Sequence, residues 1–451
     1  MSLNSLYATA RQGLLASMAA TNATGQNIAN VETPGYTRRT VGLRATPATR
    51  GGLVIRGLPS PGEGVHVGGF ERVRNGILDA AVRNGRAGMG GADQGALLLA
   101  GLEGQLAPDG GDALLGAVGG FFAAWSDVAD APPDLGTRDA LLAAAGHLTQ
   151  SVRGAAQRLG AFGASATADL RGSVDRAHAL LAEVADLNVA IRTARSQGAD
   201  DLDALDRRDQ LLDDLAGLAP FKMEAKADGT VSLSIGGMMA VQDDDALPLR
   251  LALPPDSAAP AILATGSDTP LPLAGIENGA LGAGLHVLKT ALPKARAGLD
   301  ALVATVVSQV NAAHAGGTGL DGSTGVSFFD PAGTTAGTFA LAPGLTAEAV
   351  AAGTGGPGDG SVATLLAGLG DSVGADAARL LADVGTEARR AASSSTANAA
   401  ITAHAEALRA GVSSVSLDEE MANLIQFQQS YAASARVLET ATQLFDTLLA
   451  L

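Results

Sequence analysis

Apolar residues recur at steps of three and four over most of this chain, and at steps of two over one short stretch. From Ser2 to about Val31 the spacing of Leu3, Leu6, Ala10, Leu14 and Met18 predicts an amphipathic helix. It ends at Thr33-Pro34-Gly35, where proline and glycine break the helix and start a turn. Between Arg38 and about Arg74 no helical period survives, and the Gly, Pro, Val and Thr content predicts extended, loop-rich structure. A helical region follows from about Asn75 to Leu218. Its clearest seam is Leu141, Ala145, Leu148, Val152, Ala155, Leu159 and Phe162, alternating steps of four and three. Gly160 and Gly163 are expected to loosen the end of that helix. Leu180, Val184, Leu187 and Ile191 mark a second helix, so the two are expected to form an antiparallel hairpin.

At Pro220 the period becomes two. Val231, Leu233 and Ile235 alternate with Ser232 and Ser234 after an Asp228-Gly229 turn, and Gly236-Gly237 leads into Met238 to Val241. Leu247, Leu249, Leu251 and Leu253 give another alternating strand. Helix resumes with Leu285, Leu288, Leu292, Leu299, Leu302, Val306 and Val310 on one face, and the Gly-rich stretch from Gly316 to Gly325 ends it. Pro331 to Gly374 has no assignable period; Ala375 to Ala410 reads as helix with a polar gap at Ser393 to Ser395.

The last segment is the most regular. Met421, Leu424, Gln428, Tyr431, Ala435, Leu438, Thr442, Phe445 and Leu449 follow the three-four spacing to the end. Ser416 and Glu419 have the spacing of a capping box, and Asp418, Glu419 and Glu420 occupy the first turn, where the helix dipole favours carboxylates. Gln428 and Thr442, polar at seam positions, are expected to fix register. Both ends of the chain thus carry apolar stripes too thin to bury themselves, which predicts that they pair with each other and with other subunits. The fold class is mainly α with a small β insertion. Its parts are an inner domain of paired terminal coiled-coil helices (1–50 and 415–451), a bundle-like long-helix domain (51–220 and 280–414) and an inserted small β-domain (221–279).

Composition adds that the core is built from small aliphatic side chains, because 47% of residues are hydrophobic but only 3% aromatic. The formal charge of −16 argues against a general nucleic-acid binder. That charge is uneven. Up to residue 90, Arg11, Arg38, Arg39, Arg44, Arg50, Arg56, Arg72, Arg74, Arg83 and Arg86 face only Glu32, Glu63, Glu71 and Asp79. This cationic segment is expected to fold back on acidic parts of its own chain, or to dock on a neighbouring copy. With no cysteine, disulfides and thiolate chemistry are excluded. No apolar run is long enough for membrane insertion, and Leu14 to Ala20 is too short for a signal-peptide core.

Catalytic and cofactor patterns are weak. Gly353-Thr354-Gly355-Gly356-Pro357-Gly358 spells G-x-G-x-x-G, but no strand precedes it and a proline interrupts it; a flexible surface loop is the expected structure. His66, His147, His178, His286, His314 and His404 show no ligand spacing, and Asp243-Asp244-Asp245 lacks the glycine and distal glutamate of a calcium loop. Asn22-Ala23-Thr24 is a sequon but lies on the predicted first helix. No cofactor, metal or catalytic residue is expected, and an enzyme binding a cofactor at the Gly353 loop is the remote alternative.

Asn27-Ile28-Ala29-Asn30 followed by Thr33-Pro34-Gly35-Tyr36-Thr37-Arg38 resembles the N-terminal signature of flagellar rod, hook and hook-associated proteins. The other end narrows the choice. Leu417 to Ile425, Gln428-Gln429, Tyr431, Ala435-Arg436-Val437 and Leu444 to Leu449 resemble the hook-associated protein 1 family. Phe121-Phe122, Trp125 and Arg138 agree with that family, as do Asn311, His314, Gly317, Leu320-Asp321-Gly322, Gly325 and Phe328-Phe329. Ala432 and Ser434 depart from it, and the stretch between Pro220 and Gly279 is short, which implies a missing or reduced outermost domain. The resemblance implies a non-enzymatic subunit of the hook-filament junction, exported without a cleaved signal peptide through the flagellar type III apparatus. Its implied partners are further copies of itself, the hook protein, a second junction protein towards the filament, and an export chaperone on the C-terminal segment. Another axial protein, such as the second junction protein or the hook protein, is the nearer alternative.

Overall fold

The structure, a computed structural model, describes residues 3–46, 64–252, 260–264 and 275–449. Helix α1 (Leu3–Ala29) leads through a turn to the antiparallel hairpin β1 (Arg39–Ala45) and β2 (Val65–Arg72). Helices α2 (Gly76–Leu106), α3 (Asp112–Asp130), α4 (Leu135–Ser196) and α5 (Leu202–Leu218) follow. Each of α2, α4 and α5 starts at a residue whose side chain accepts from the first turn, namely Asn75, Asp134 and Asp201. The chain is mainly helical, and its β insertion is small.

Gly160 and Gly163 do not end a helix. The expected hairpin is one 62-residue helix, α4, carrying both predicted segments. Gly163 is buried, and a Cβ there would lie 2.8 Å from Leu292 Cδ2, so glycine admits a neighbouring helix instead of breaking its own. The seam keeps its three-four steps past that point through Ala166, Leu170, Val174, Ala177, Leu181, Val184, Asn188 and Ile191. Phe162, Leu180 and Leu187, placed in the seam from sequence, sit at its flanks.

The β insertion is a four-stranded antiparallel sheet, β3 (Lys222–Ala225), β4 (Val231–Ile235), β5 (Met238–Gln242) and β6 (Asp245–Ala246), plus the pair β7 (Leu249–Ala252) and β8 (Ala261–Ala264). Leu253, read as the end of an alternating strand, lies outside the described residues, as do Arg50, Arg56 and Glu63. Val231, Leu233, Ile235, Val241, Leu249 and Ile262 join the same apolar core as α4. Asn188 ties the sheet to that helix as a strand would: its amide donates to the Val231 carbonyl (2.9 Å) and accepts the Val231 N–H (3.1 Å).

The later helix comprises α6 (Ala280–His286), a π turn over Val287–Ala291 and α7 (Leu292–Ala315). The wide turn sits immediately before Pro293, whose ring removes one i to i−4 bond; the Leu292 N–H reaches back to Val287. After an irregular but packed stretch come α8 (Ser361–Ala367), α9 (Gly370–Ser413) and α10 (Leu417–Leu449). The polar run Ser393 to Ser395 does not interrupt α9.

The family-like interior residues meet in one place. Phe121 and Trp125 of α3 pack edge-on or tilted against Phe328, Phe329 and His314, and Phe122 packs edge-on against Phe121. Asn311 holds the Phe328-Phe329 segment by accepting both N–H groups and donating to the Phe329 carbonyl. Arg138, fully buried, donates to the carbonyls of Pro132, Ala347 and Val350, which secures the irregular stretch on the helices. These residues build a core and fix two loops on it.

His314 is buried, with Nδ1 2.7 Å from the Val326 carbonyl and Nε2 accepting the Ala351 N–H at 2.9 Å. That arrangement requires the neutral ring protonated on Nδ1. Burial, with a smaller contribution from Arg138, lowers its pKa below the ordinary 6.5 despite the bond to Val326. A depressed histidine pKa leaves the unfolded chain binding more protons in acid, so this residue's contribution is complete above about pH 6.5 and declines as pH falls below it. Denaturant titrations at pH 7.5 and 5.5 are expected to show a loss at the lower pH that His314→Gln diminishes; equal losses in both proteins contradict this account.

Candidate functional site

The terminal helices pair antiparallel, Asn27 meeting Glu420 at one end and Gly13 facing Ser434 further along. On α1 the seam is Ala10, Gly13, Ser17, Ala20, Thr24 and Asn27, an unbroken three-four alternation of small or polar residues. A Cβ on Gly13 would stand 3.0 Å from the Ser434 hydroxyl, so the backbones approach closely. The predicted stripe is therefore displaced. Ala10 is buried, Leu6 and Leu14 are half-buried, and Met18 is 51% exposed.

On α10 the residues turned inward are Glu420, Leu424, Phe427, Ser434, Leu438, Ala441 and Phe445. Leu424, Leu438 and Phe445, placed in the seam from sequence, are half-buried. The alternate positions shift by one residue: Met421, Gln428 and Thr442 are exposed, and Glu420, Phe427 and Ala441 take their places. Ala435 is half-buried beside Ser434, and Tyr431, at the seam edge, is 41% exposed. Gln428 and Thr442 thus do not set register within the subunit. The side chains of Leu3 and Leu449 lie outside the described residues.

Register comes from a buried polar hub that the apolar pattern did not reveal. The Asn27 amide donates to the Arg39 carbonyl (2.9 Å) and to Glu420 Oε2 (3.1 Å). Its oxygen accepts from the Tyr36 hydroxyl and the Arg39 N–H, both at 2.9 Å. Every hydrogen-bonding position of the amide is filled. Glu420, buried to 2% exposure, also accepts from Arg38 Nε at 2.7 Å, and Arg38 reaches Glu419 at 3.1 Å. Glu419 is therefore committed to Arg38, not to the predicted capping box, while the Ser416 carbonyl takes the Glu420 N–H. Arg39 lies over the Tyr36 ring. Burial raises the Tyr36 pKa, Arg39 opposing and the nearby carboxylates adding to it, so the phenol remains a donor.

The signature residues shape this hub. Asn30 closes α1 by donating to the Gln26 carbonyl and accepting the Thr33 hydroxyl; Ile28 is half-buried beside it. Thr33 to Tyr36 form a turn closed by the Thr33 carbonyl, with Pro34 second and Gly35 third at φ 77°, the left-handed position that a type II turn requires. Gln210 of α5 donates to the Pro34 carbonyl at 2.6 Å and fills the space a Gly35 side chain would need.

Behind the hub, the acids of α5 recur at Asp203, Asp206, Asp209 and Asp213, steps that place them on one face. Arginines from four other elements alternate with them. Arg39 bridges Asp203 (2.5 Å) and Asp206 (3.3 Å), and Arg72 bridges Asp206 (2.9 Å) and Asp209 (2.8 Å). Arg83 bridges Asp209 (2.9 Å) and Asp213 (3.1 Å), and Arg409 closes on Asp213 (2.6 Å). Arg74 joins Asp209 to Asp79. The cationic first segment thus folds back on its own chain, and these arginines are not free to dock elsewhere. Burial raises the Asp209 pKa, but Arg74, Arg72 and Arg83 together hold it below the usual carboxylate value.

Elsewhere, the Gly353 loop is organised around a carboxylate. Asp359 accepts the N–H groups of Thr354, Gly355 and Ser361, which draw its pKa down to about 2. Those amides are the ones a phosphate would need. Asp243 pairs with Lys226, and no cluster with metal-ligand character occurs among the described residues. No described helix is long and apolar enough to cross a membrane.

Comparison with known proteins bears on these features. The flagellar hook-associated protein FlgK helical domain matches residues 99–329, and the flagellar basal body rod FlgEFG protein C-terminal pattern matches 411–451. Flagellar hook-associated protein 1 of Bacillus subtilis is 26% identical over 98% of this chain and 97% of its own length. The protein of the same name from Salmonella typhimurium is 27% identical over 72% of this chain, which spans 59% of that relative. The solved flagellar hook junction protein FlgK from Burkholderia pseudomallei matches 57% of this chain and 46% of its own, with 26% identity and a TM-score of 0.49.

Replacing Asn27 by Leu leaves Glu420 and the Arg39 carbonyl without a shared donor. The expected cost is roughly 2–4 kcal/mol. In denaturant melts the midpoint should fall accordingly, and limited proteolysis should release α10 before the body unfolds. Unchanged stability and unchanged cleavage of α10 would show that the hub does not hold the terminal pair.

Proposed function

As a member of the flagellar hook-associated protein FlgK family, the chain is a structural subunit of the flagellum at the hook-filament junction, and we propose that it assembles there through the outward side of its terminal helix pair. One observation carries this reading. The α1 side of the seam is filled by small residues, whereas Tyr7, Leu15 and Met18 of α1 and Met421, Ile425, Val437 and Leu444 of α10 remain exposed. A pair of helices showing this much apolar surface beside a buried, fully bonded register lock is built to be covered by other helices. Each large side chain newly buried contributes roughly 1.5–3 kcal/mol, which favours a ring of copies.

The inner domain, 1–50 with 415–451, is then the assembling unit, and the helical body with its β insertion stands outside it. The hook protein on one side and a second junction protein on the other are the proposed neighbours along the axis. Before assembly the same α10 surface suits an export chaperone, with secretion through the flagellar type III apparatus to an extracellular position. The role is architectural: the Gly353 loop spends its amides on Asp359, which supports a non-enzymatic reading.

The pair of substitutions Met421→Asp and Ile425→Asp separates assembly from folding, because both side chains are exposed. The purified variant is expected to keep the parent melting temperature and helical content, while cells carrying it shed filament subunits from otherwise normal hooks. Normal filament attachment by a stably folded variant would contradict the proposal.

A further inference from the structure

Arg208 is the odd guanidinium of the α5 network. It is 7% exposed and bonds only neutral acceptors through Nη1: the Gly229 carbonyl at 2.7 Å and Asn188 Oδ1 at 3.4 Å. Its Nε is buried with no hydrogen-bond partner, and no carboxylate among the described residues forms an ion pair with it. A buried cation in that condition is costly unless an anion completes it. The cost is visible in its acidity. Burial lowers the Arg208 pKa to about 10, with Asp209 opposing the shift and Arg72, Arg83 and Arg74 adding to it.

Arg208 lines a cleft of about 400 Å³ between the β3 edge and the start of α2. Arg72, Arg74 and Arg83 line it too, whereas only Asp79 and Asp209 bring carboxylates. Asp209 is already shared among Arg72, Arg74 and Arg83. The first turn of α2 also faces the cleft through Gly76, Asp79 and Ala80, adding the positive end of a helix dipole. Met223 and Phe221 form its apolar side.

We propose that this cleft is a binding site for a small tetrahedral oxyanion, inorganic phosphate or sulfate, held chiefly by Arg208. Planar guanidinium forks match oxyanion geometry better than a spherical halide, which favours phosphate or sulfate over chloride. The depth of Arg208 favours a free ion over the side chain of a neighbouring protein. Bound there, the anion joins the β insertion, through the Arg208 contact with Gly229, to the Asp-Arg ladder that secures the terminal helices.

The test is titration of the full chain with sodium phosphate, and separately sodium sulfate, against sodium chloride of equal ionic strength, followed by calorimetry, ³¹P line broadening and melting temperature. The expected result is saturable binding of a single anion per chain and a rise in melting temperature beyond that in chloride. Arg208→Met should weaken binding by about tenfold or more. Asn84→Asp sets a carboxylate at the exposed rim of the same cleft without disturbing a buried contact, and should also weaken phosphate binding while the protein stays folded. Binding that both variants retain, or a melting shift no larger than in chloride, overturns the proposal. So does concentration-dependent self-association that phosphate disrupts, because that would assign the cleft to a carboxylate of a second copy.

Discussion

The structure depends on one constraint: Asp206, Asp209 and Asp213 of α5 and Arg39, Arg72 and Arg83 of the N-terminal segment are largely buried, so each must find its opposite. Asp203, Asp206, Asp209 and Asp213 alternate with Arg39, Arg72, Arg83 and Arg409, drawing β1, β2, α2 and α9 onto a single helix face. Removing a buried member such as Asp209 strands arginine charge in low dielectric, which costs several kcal/mol. This ladder ends next to Asn27, Arg38 and Glu420, where neutral and charged hydrogen bonds continue it into the terminal helices. Their position on the body is therefore set by polar groups at one end. Their sides remain free to meet other helices.

That division explains what the sequence could and could not reveal. Helices, the switch to period two at Pro220 and the paired ends all follow from hydrophobic spacing, because burial on one face imposes it. The seam of α10 was misplaced at Met421, Gln428 and Thr442 for a physical reason. The helix is apolar on its inner side (Phe427, Ala441) and on its outer side (Met421, Ile425), and a periodicity records the sum of both. On α1 the true seam is Ala, Gly, Ser, Thr and Asn, which carries almost no hydrophobic signal although it permits the closest approach. A small-residue heptad at 10, 13, 17, 20, 24 and 27 was available to be read, but only by looking for size instead of apolarity.

Glycine misled in the same way. Gly163 reads as a helix breaker from propensity, yet its packing against Leu292 makes it a contact point inside the longest helix of the described residues. Asn27 and Tyr36 were picked out by family resemblance; their function as a saturated hydrogen-bonding hub with Glu420 depends on residues almost 400 positions apart in the chain. The resemblance at Phe121, Trp125, Asn311, His314 and Phe328 marks core packing instead. Such residues are legible as a set only once the fold brings them together.

The central claim is that the terminal pair is anchored at the Asn27-Glu420 end and completed laterally by other copies. Hydrogen exchange on the free and assembled subunit measures this directly. In the free chain, amides of residues 20–29 and 417–427 should exchange as slowly as those of the body, while protection decays towards the far ends of α1 and α10; assembly should then protect both helices along their length. Uniform protection of the free pair, or assembly that leaves its exchange unchanged, would contradict the account.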